Sequence, residues 1–91
     1  MAKVVVTLRI MPESPDVNLD KLQKEVLKII KSAVGDTETK VEKEPIGFGL
    51  NALKILFVMD ENKKTEGIES SIGNIDDVQS VDVTDVRRAI G

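Results

Sequence analysis

Residues 3–11 read KVVVTLRIM, and this stretch decides the fold because its apolar residues recur at every second position. One face of the predicted strand carries Val4, Val6, Leu8 and Ile10, and the other carries Lys3, Val5, Thr7 and Arg9. Period two in β-branched residues is typical of a half-buried strand. Pro12, Ser14 and Pro15 follow, and they predict the end of the strand because proline cannot donate a ladder hydrogen bond.

From Asn18 the apolar residues change to a helical spacing. The predicted inner face consists of Leu19, Leu22, Val26, Ile29, Ile30 and Ala33, and the opposite face carries Lys21, Lys24, Lys28 and Lys31. Asn18 is a favourable N-cap, and Gly35 can adopt the conformation that ends a helix. The pattern therefore predicts an amphipathic helix directly after the first strand.

The next segments predict two strands and the connection between them. Residues 37–44 have the pattern of a strand but are strongly charged, which favours a sheet edge, and Pro45 supports that position. Residues 45–49 are interpreted as a connection. Residues 52–59 are apolar again, with a predicted inward set of Leu53, Ile55, Phe57 and Met59.

The last third predicts a helix and a strand. Ile68, Ile72 and Ile75 recur at helical spacing after Thr65, and Gly73-Asn74 is a plausible end. Residues 78–86 alternate once more, with Val81 and Val83 expected inward. Residues 87–91 (RRAIG) are expected to form a short, loose, basic tail.

The predicted element order is βαββαβ. Two helices on one face of a four-stranded antiparallel sheet define the ferredoxin-like sandwich, an α+β fold. Residues 1–91 are short enough that we expect a single domain, with the loose tail at about 87–91.

Composition excludes several functional classes. The 91 residues carry a net charge of −3, whereas nucleic-acid binders usually have a basic excess. Cysteine and histidine are both absent, which removes disulfides, thiol nucleophiles, imidazole bases and the usual zinc or haem ligands. With no leader and no apolar run of about 20 residues, we expect a cytoplasmic protein that binds no cofactor, metal or membrane.

This sequence lacks the residues that the common functions of this fold require. RNA-recognition versions stack bases on aromatic side chains exposed on central strands, but the only aromatics are Phe48 and Phe57, and neither is predicted to face outward there. Heavy-metal carriers of this shape need a cysteine pair. The acylphosphatase type needs an arginine loop after the first strand, and residues 11–14 contain no arginine.

Two segments remain as candidate binding sites. In Gly47-Phe48-Gly49, a large ring lies between two residues with unrestricted backbone, so Phe48 either folds onto the core or is presented to a partner. Arg87 and Arg88 either serve solubility or reach a phosphate or cation site on a partner. The scattered carboxylates and the lysine face of the first helix are interpreted as solvated surface.

Residues 45–50 (PIGFGL), followed by an apolar strand and by residues 78–83 (VQSVDV), resemble the guanine-nucleotide-exchange domain of translation elongation factor 1 beta. The resemblance covers essentially the whole chain and is greatest to the short archaeal form. It implies a partner, the GTPase elongation factor 1 alpha, which delivers aminoacyl-tRNA, and an activity, faster release of GDP from that partner.

The resemblance also implies the binding residues. Phe48, in the segment Pro45, Ile46, Gly47, Phe48 and Gly49, matches a phenylalanine that packs into an apolar pocket of the GTPase. Arg88, with Arg87 beside it, matches a lysine that disturbs the magnesium and phosphate region. Here the cation is arginine and is followed by three residues, and a planar guanidinium does not replace a compact ammonium without consequence.

The same residues leave two other functions open. A ligand-sensing regulatory domain would dimerise and bind a small molecule, whereas the exchange factor is expected to be monomeric when free. An RNA-binding module is disfavoured by the acidic charge. The sequence leaves open whether the outer sheet face, with Val5, Leu56 and Val58, is a second contact surface.

Overall fold

Four strands and two helices follow one another along residues 2–89, the part of the chain that the computed structural model describes. In chain order they are β1 (Lys3–Pro12), α1 (Leu19–Val34), β2 (Thr39–Gly47), β3 (Leu50–Asp60), α2 (Glu66–Gly73) and β4 (Val78–Arg88). The strands form one antiparallel sheet, so the predicted ferredoxin-like α+β fold is confirmed.

The strand order β2-β3-β1-β4 makes β1 and β3 the central strands and β2 and β4 the edges. β1 is hydrogen-bonded on both sides, with Leu8 opposite Ile55 of β3 and Val83 of β4. The charged strand β2 lies at the edge, as its composition predicts, because an edge strand tolerates charges that a buried strand does not.

The core lies between one sheet face and the two helices. Its buried residues come from every second position of the strands and from one side of each helix: Val4, Val6, Leu8, Ile10, Leu22, Val26, Ile30, Leu53, Ile55, Phe57, Met59, Ile68, Ile72 and Val78. All four predicted inward residues of β1 and of β3 are among them. The opposite, outer face of the sheet has no helix over it in residues 2–89.

The ends of α1 have local causes. The Asn18 side chain accepts a hydrogen bond from the Lys21 backbone N–H at 3.1 Å, which caps the first turn. Gly35, at φ 80°, donates its N–H to the Lys31 carbonyl at 2.9 Å and ends the helix. The predicted helix is therefore confirmed with its caps.

The predicted connection over residues 45–49 is wrong in extent. β2 continues to Gly47 and β3 begins at Leu50, so only Phe48 and Gly49 form the turn. Pro45 lies within the strand, opposite Asn51, because an edge strand accommodates a proline whose nitrogen needs no ladder partner. The result is a long hairpin in place of a five-residue loop.

The predicted loose end is also wrong for Arg87 and Arg88. Both belong to β4, where Arg87 pairs with Val5 and Arg88 pairs with Val4. The Ala89 N–H donates to the Lys3 carbonyl at 2.8 Å and extends the pairing by one residue. Because β1 begins at residue 3, it offers backbone partners to this segment; residues 90 and 91 lie outside the described part of the chain.

We expect replacement of Ile55 by alanine to lower the free energy of unfolding by about 2–5 kcal/mol, since this fully buried side chain leaves a cavity. Leu56→Ala, one position along the same strand, is the matched control on the half-exposed outer face and is expected to cost less than half as much. Urea unfolding measures both changes. Equal losses would contradict the assignment of the two faces.

Candidate protein-docking site

The β2–β3 hairpin ends in a turn of two residues. Gly47 pairs with Leu50, so Phe48 and Gly49 occupy the two central positions. Phe48 has φ 54° and Gly49 has φ 78°, and positive φ at both centres is the signature of a type I′ turn. This turn type matches the twist of an antiparallel pair, so the hairpin presents its tip in a defined geometry.

Phe48 is fully exposed at this tip, with a relative accessibility of 102%. Of the two possibilities that its sequence context leaves open, packing on the core is therefore excluded. The other aromatic ring, Phe57, is 1% exposed and lies in the core. A free ring of this size is the kind of side chain that anchors protein interfaces.

The backbone of Phe48 is strained. The left-handed region places the Cβ atom too near the following carbonyl oxygen, at a cost of roughly 1–2 kcal/mol for a residue other than glycine. A bulky residue at positive φ is a genuine outlier, and such strain concentrates at functional sites. Asparagine or glycine would fit this position better, so Phe48 does not serve the stability of the turn.

The residues around Phe48 shape the rest of the tip. Pairing shifts register between Pro45 and Gly47, which leaves Ile46 as a bulge residue at 37% exposure. A side chain at Gly49 would come within 3.8 Å of Pro15 Cβ, so the turn lies beside the β1–α1 loop. The tip is thus an apolar surface made of Pro45, Ile46 and Phe48, all of them exposed.

The two candidate cations lie near the end of β4, and each has a carboxylate partner. Arg87 Nε lies 2.8 Å from Asp85 Oδ2, and an Arg88 terminal nitrogen lies 3.4 Å from Glu61 Oε2. Both arginine side chains remain more than three-quarters exposed, so these ion pairs are weak and easily exchanged for a stronger partner. No sequence pattern links Asp85 or Glu61 to the arginines, because Glu61 comes from a distant part of the chain and Asp85 is one of many scattered carboxylates.

A bulge in β4 sets the directions of the two arginines. Thr7 pairs with Asp85 but Leu8 pairs with Val83, so Thr84 is an extra residue on β4. Beyond the bulge, Val86 and Arg88 share the helix-covered face with Val4 and Val6, and Arg87 shares the outer face with Val5. Arg87 and Arg88 therefore point to opposite sides of the sheet.

The structure does not bring the hairpin tip and the arginines together. β3 leads from the turn at Leu50 to Met59, which lies opposite Val4 and so level with Arg88. Nine residues of strand at roughly 3.3 Å each span about 30 Å. The long axis of the molecule is 42 Å, so the two candidate contacts occupy opposite ends of the sheet.

The remaining expectations concern outward aromatic rings, a metal site and membrane-spanning helices. Phe57 faces the core, so the prediction that the central strands present no outward aromatic is confirmed for residues 2–89. Within the described residues, no three carboxylates gather closely enough to hold a metal ion. None of the helices described here is long and apolar enough to cross a membrane.

Comparison with known proteins identifies relatives over nearly the whole chain. The family described as "EF-1 guanine nucleotide exchange domain" matches residues 5–89. Elongation factor 1-beta of Methanothermobacter thermautotrophicus is 45% identical over 89 residues, which cover 97% of this chain and 98% of that protein. Elongation factor 1-beta of Halobacterium salinarum is 37% identical over 91 residues, which cover 97% and 99% respectively.

A solved structure supports the fold independently. The de novo designed protein Foldit4 superimposes with a TM-score of 0.63 at 22% identity, and the match covers 98% of each chain. At this identity the likeness concerns the fold alone. The sequence matches, by contrast, span both the hairpin and β4. The chain belongs to the elongation factor 1-beta family of guanine-nucleotide-exchange domains, which act in translation elongation.

Proposed function

We propose that this chain is the exchange factor for elongation factor 1 alpha, the GTPase that delivers aminoacyl-tRNA, and that it promotes GDP release and GTP loading. Membership of the exchange-domain family supports the activity. The hairpin tip is proposed as the contact with the GTPase because the Phe48 ring is fully exposed there, at a strained two-residue turn. The chain acts in the cytoplasm as a monomer when free, and it binds neither nucleic acid nor a membrane directly.

The hairpin tip supplies the affinity. Phe48 enters an apolar pocket of the GTPase, and the neighbouring exposed residues Pro45 and Ile46 cover the rim of that pocket. Gly47 and Gly49 allow the backbone to approach the partner closely because neither carries a Cβ atom, and this also lets both adopt positive φ. The ring loses little conformational freedom on docking because the turn already holds its backbone in one geometry.

The end of β4 weakens the binding of magnesium and nucleotide by the partner. Magnesium bridges the nucleotide phosphates to a GTPase, so disturbing it weakens nucleotide binding. Arg88 exchanges its weak contact with Glu61 for the region of the partner's magnesium and phosphates, and Arg87 lies beside it on the other face of the sheet. A guanidinium disturbs that region through charge and bulk together.

No chemistry by this chain is required. An exchange factor has only to bind the nucleotide-free GTPase more tightly than the loaded one, and the coupling is reciprocal. We therefore propose that the protein is not an enzyme in the sense of forming or breaking a covalent bond. It needs no cofactor or metal of its own.

Phe48→Asn separates function from stability. Asparagine at the first centre of a type I′ turn relieves the strain, so the free energy of unfolding is expected to rise by about 1 kcal/mol. The same change removes the anchor, so acceleration of fluorescent GDP release from archaeal elongation factor 1 alpha should fall at least tenfold. Phe48→Leu, which keeps apolar bulk, is the control and should retain part of the activity. Full activity of Phe48→Asn would rule out the anchor role.

Wild-type protein that leaves the GDP release rate unchanged would overturn the proposed function itself. The assay is stopped-flow fluorescence at saturating unlabelled GTP. A small-molecule binding screen would then be the next step, because the fold also occurs in ligand-sensing domains.

Arg88→Ala tests the displacement step. The variant should bind the GTPase within a few-fold of wild type but accelerate GDP release at least tenfold less, and Arg87→Ala should lose less. Unfolding stability should change by less than about 1 kcal/mol, because the Glu61 contact is exposed. The defect should shrink when magnesium is chelated, since the GTPase then releases GDP without help. A defect that persists unchanged under chelation would contradict a role at the magnesium site.

A further inference from the structure

Arg88 has a partner of its own in the free protein, the side chain of Glu61. An Arg88 terminal nitrogen lies 3.4 Å from Glu61 Oε2, although the two residues are 27 positions apart in the sequence. The Arg88 side chain is 77% exposed, whereas that of Glu61 is 37% exposed. The carboxylate is therefore the more closely packed member of the pair, and the guanidinium is the member that is free to leave.

Hydrogen bonds fix the turn that contains Glu61. The Lys63 N–H donates to the Asp60 carbonyl at 3.0 Å and closes a turn with Glu61 at its second position. The Glu61 N–H donates to the Ala2 carbonyl at 3.2 Å, and the Lys63 ammonium donates to the Ala33 carbonyl at 3.1 Å. These three hydrogen bonds hold the backbone of Glu61 in one place at the end of β3, beside the end of β4.

Arg88 is also the cation that the Glu61 carboxylate selects from its surroundings. Lys63 and Lys64 line the same open cleft as Glu61. Within residues 2–89, however, the salt bridge to Arg88 is the only one that Glu61 forms. The Lys63 ammonium instead bonds to a carbonyl at the end of α1. The structure therefore pairs Glu61 with the residue to which the proposed function assigns the disturbance of magnesium and phosphate.

The pair with Glu61 competes with the role proposed for Arg88. The carboxylate belongs to a fixed turn, so a guanidinium that extends into the partner leaves it. An exposed ion pair of this kind is formed about 60–85% of the time. Binding by a group that is available for only a fraction of the time is weakened by that fraction. Glu61 therefore opposes the step that Arg88 performs, and its charge also repels the nucleotide phosphates.

We propose that Glu61 is a positioning residue that restrains Arg88 and thereby limits the rate of nucleotide exchange. This inference rests on the proposed function and concerns the same site. The restraint also makes Arg88 selective. A single carboxylate on the surface of another protein gains nothing over Glu61, whereas a group of phosphates offers more negative charge and displaces it. Arg88 is thus released at a nucleotide site and held back elsewhere.

Glu61→Gln tests the proposal, because it removes the charge and keeps the shape of the side chain. Release of fluorescent GDP from archaeal elongation factor 1 alpha, at saturating exchange factor, should become about two- to sixfold faster than with wild type, since Arg88 is then always available. The gain should be absent when Glu61→Gln is combined with Arg88→Ala. It should shrink as salt is added, because salt already weakens the pair in wild type. The thermal unfolding midpoint should stay close to that of wild type, since the contact is exposed.

Glu42→Gln is the matched control, because it removes the same charge from an exposed pair of similar length, with Lys40 at 3.3 Å, and it should exchange like wild type. If wild type accelerates GDP release and Glu61→Gln does so equally or less, the restraint is overturned and the proposed function stands. A gain that persists in the combined variant with Arg88→Ala would also overturn it, since Glu61 would not act through Arg88. A wild-type protein that leaves GDP release unchanged would overturn the proposed function and the restraint together.

Discussion

The pairing of β1 with β3 is the contact on which the rest of the structure depends. These central strands supply eight of the buried core residues, from Val4 to Ile10 and from Leu53 to Met59 on alternate positions. Because they run antiparallel, the start of β3 and the start of β1 lie at opposite ends of the sheet. The hairpin therefore projects from one end, and the last residues of β4, which pair with the start of β1, lie at the other.

Sequence alone predicted the elements whose periodicity is uninterrupted. β1, α1 and the inward set of β3 repeat with a constant period, so their faces follow from residue order. The connection between β2 and β3 is predicted too long because Pro45 and two glycines usually interrupt a strand, whereas the true turn length depends on the pairing of Pro45 with Asn51 and of Gly47 with Leu50. The end of β4 is predicted two residues too early because Arg87 and Arg88 are charged and close to the end of the sequence, and only the register with β1 shows that the strand continues.

The candidate site, too, is predictable from the sequence only in part. The sequence selected Phe48, Arg87 and Arg88 as residues of interest, but it could not choose between a buried and an exposed ring. The turn decides this, since a two-residue connection leaves Phe48 no path back to the core. Nor could the sequence assign each arginine to its face of the sheet, because that assignment depends on one extra residue in β4. Charge partners such as Glu61 come from a distant part of the chain and appear only in the folded structure.

The strain at Phe48 and the separation of the two ends have a common consequence for the proposed exchange reaction. The two-residue turn fixes the backbone of Phe48 before docking, so less of the binding energy is lost in ordering the loop. In the proposed reaction the sheet is a spacer of about 30 Å, which would deliver the arginines to one region of the partner at a high effective concentration. A weak, exposed cation would be sufficient for the proposed reaction, because the hairpin would provide the affinity and the arginine would have only to favour the nucleotide-free state. An anchor and a displacing group at the same end would compete for one surface of the GTPase, whereas the proposed exchange reaction uses opposite ends of the sheet for the two roles.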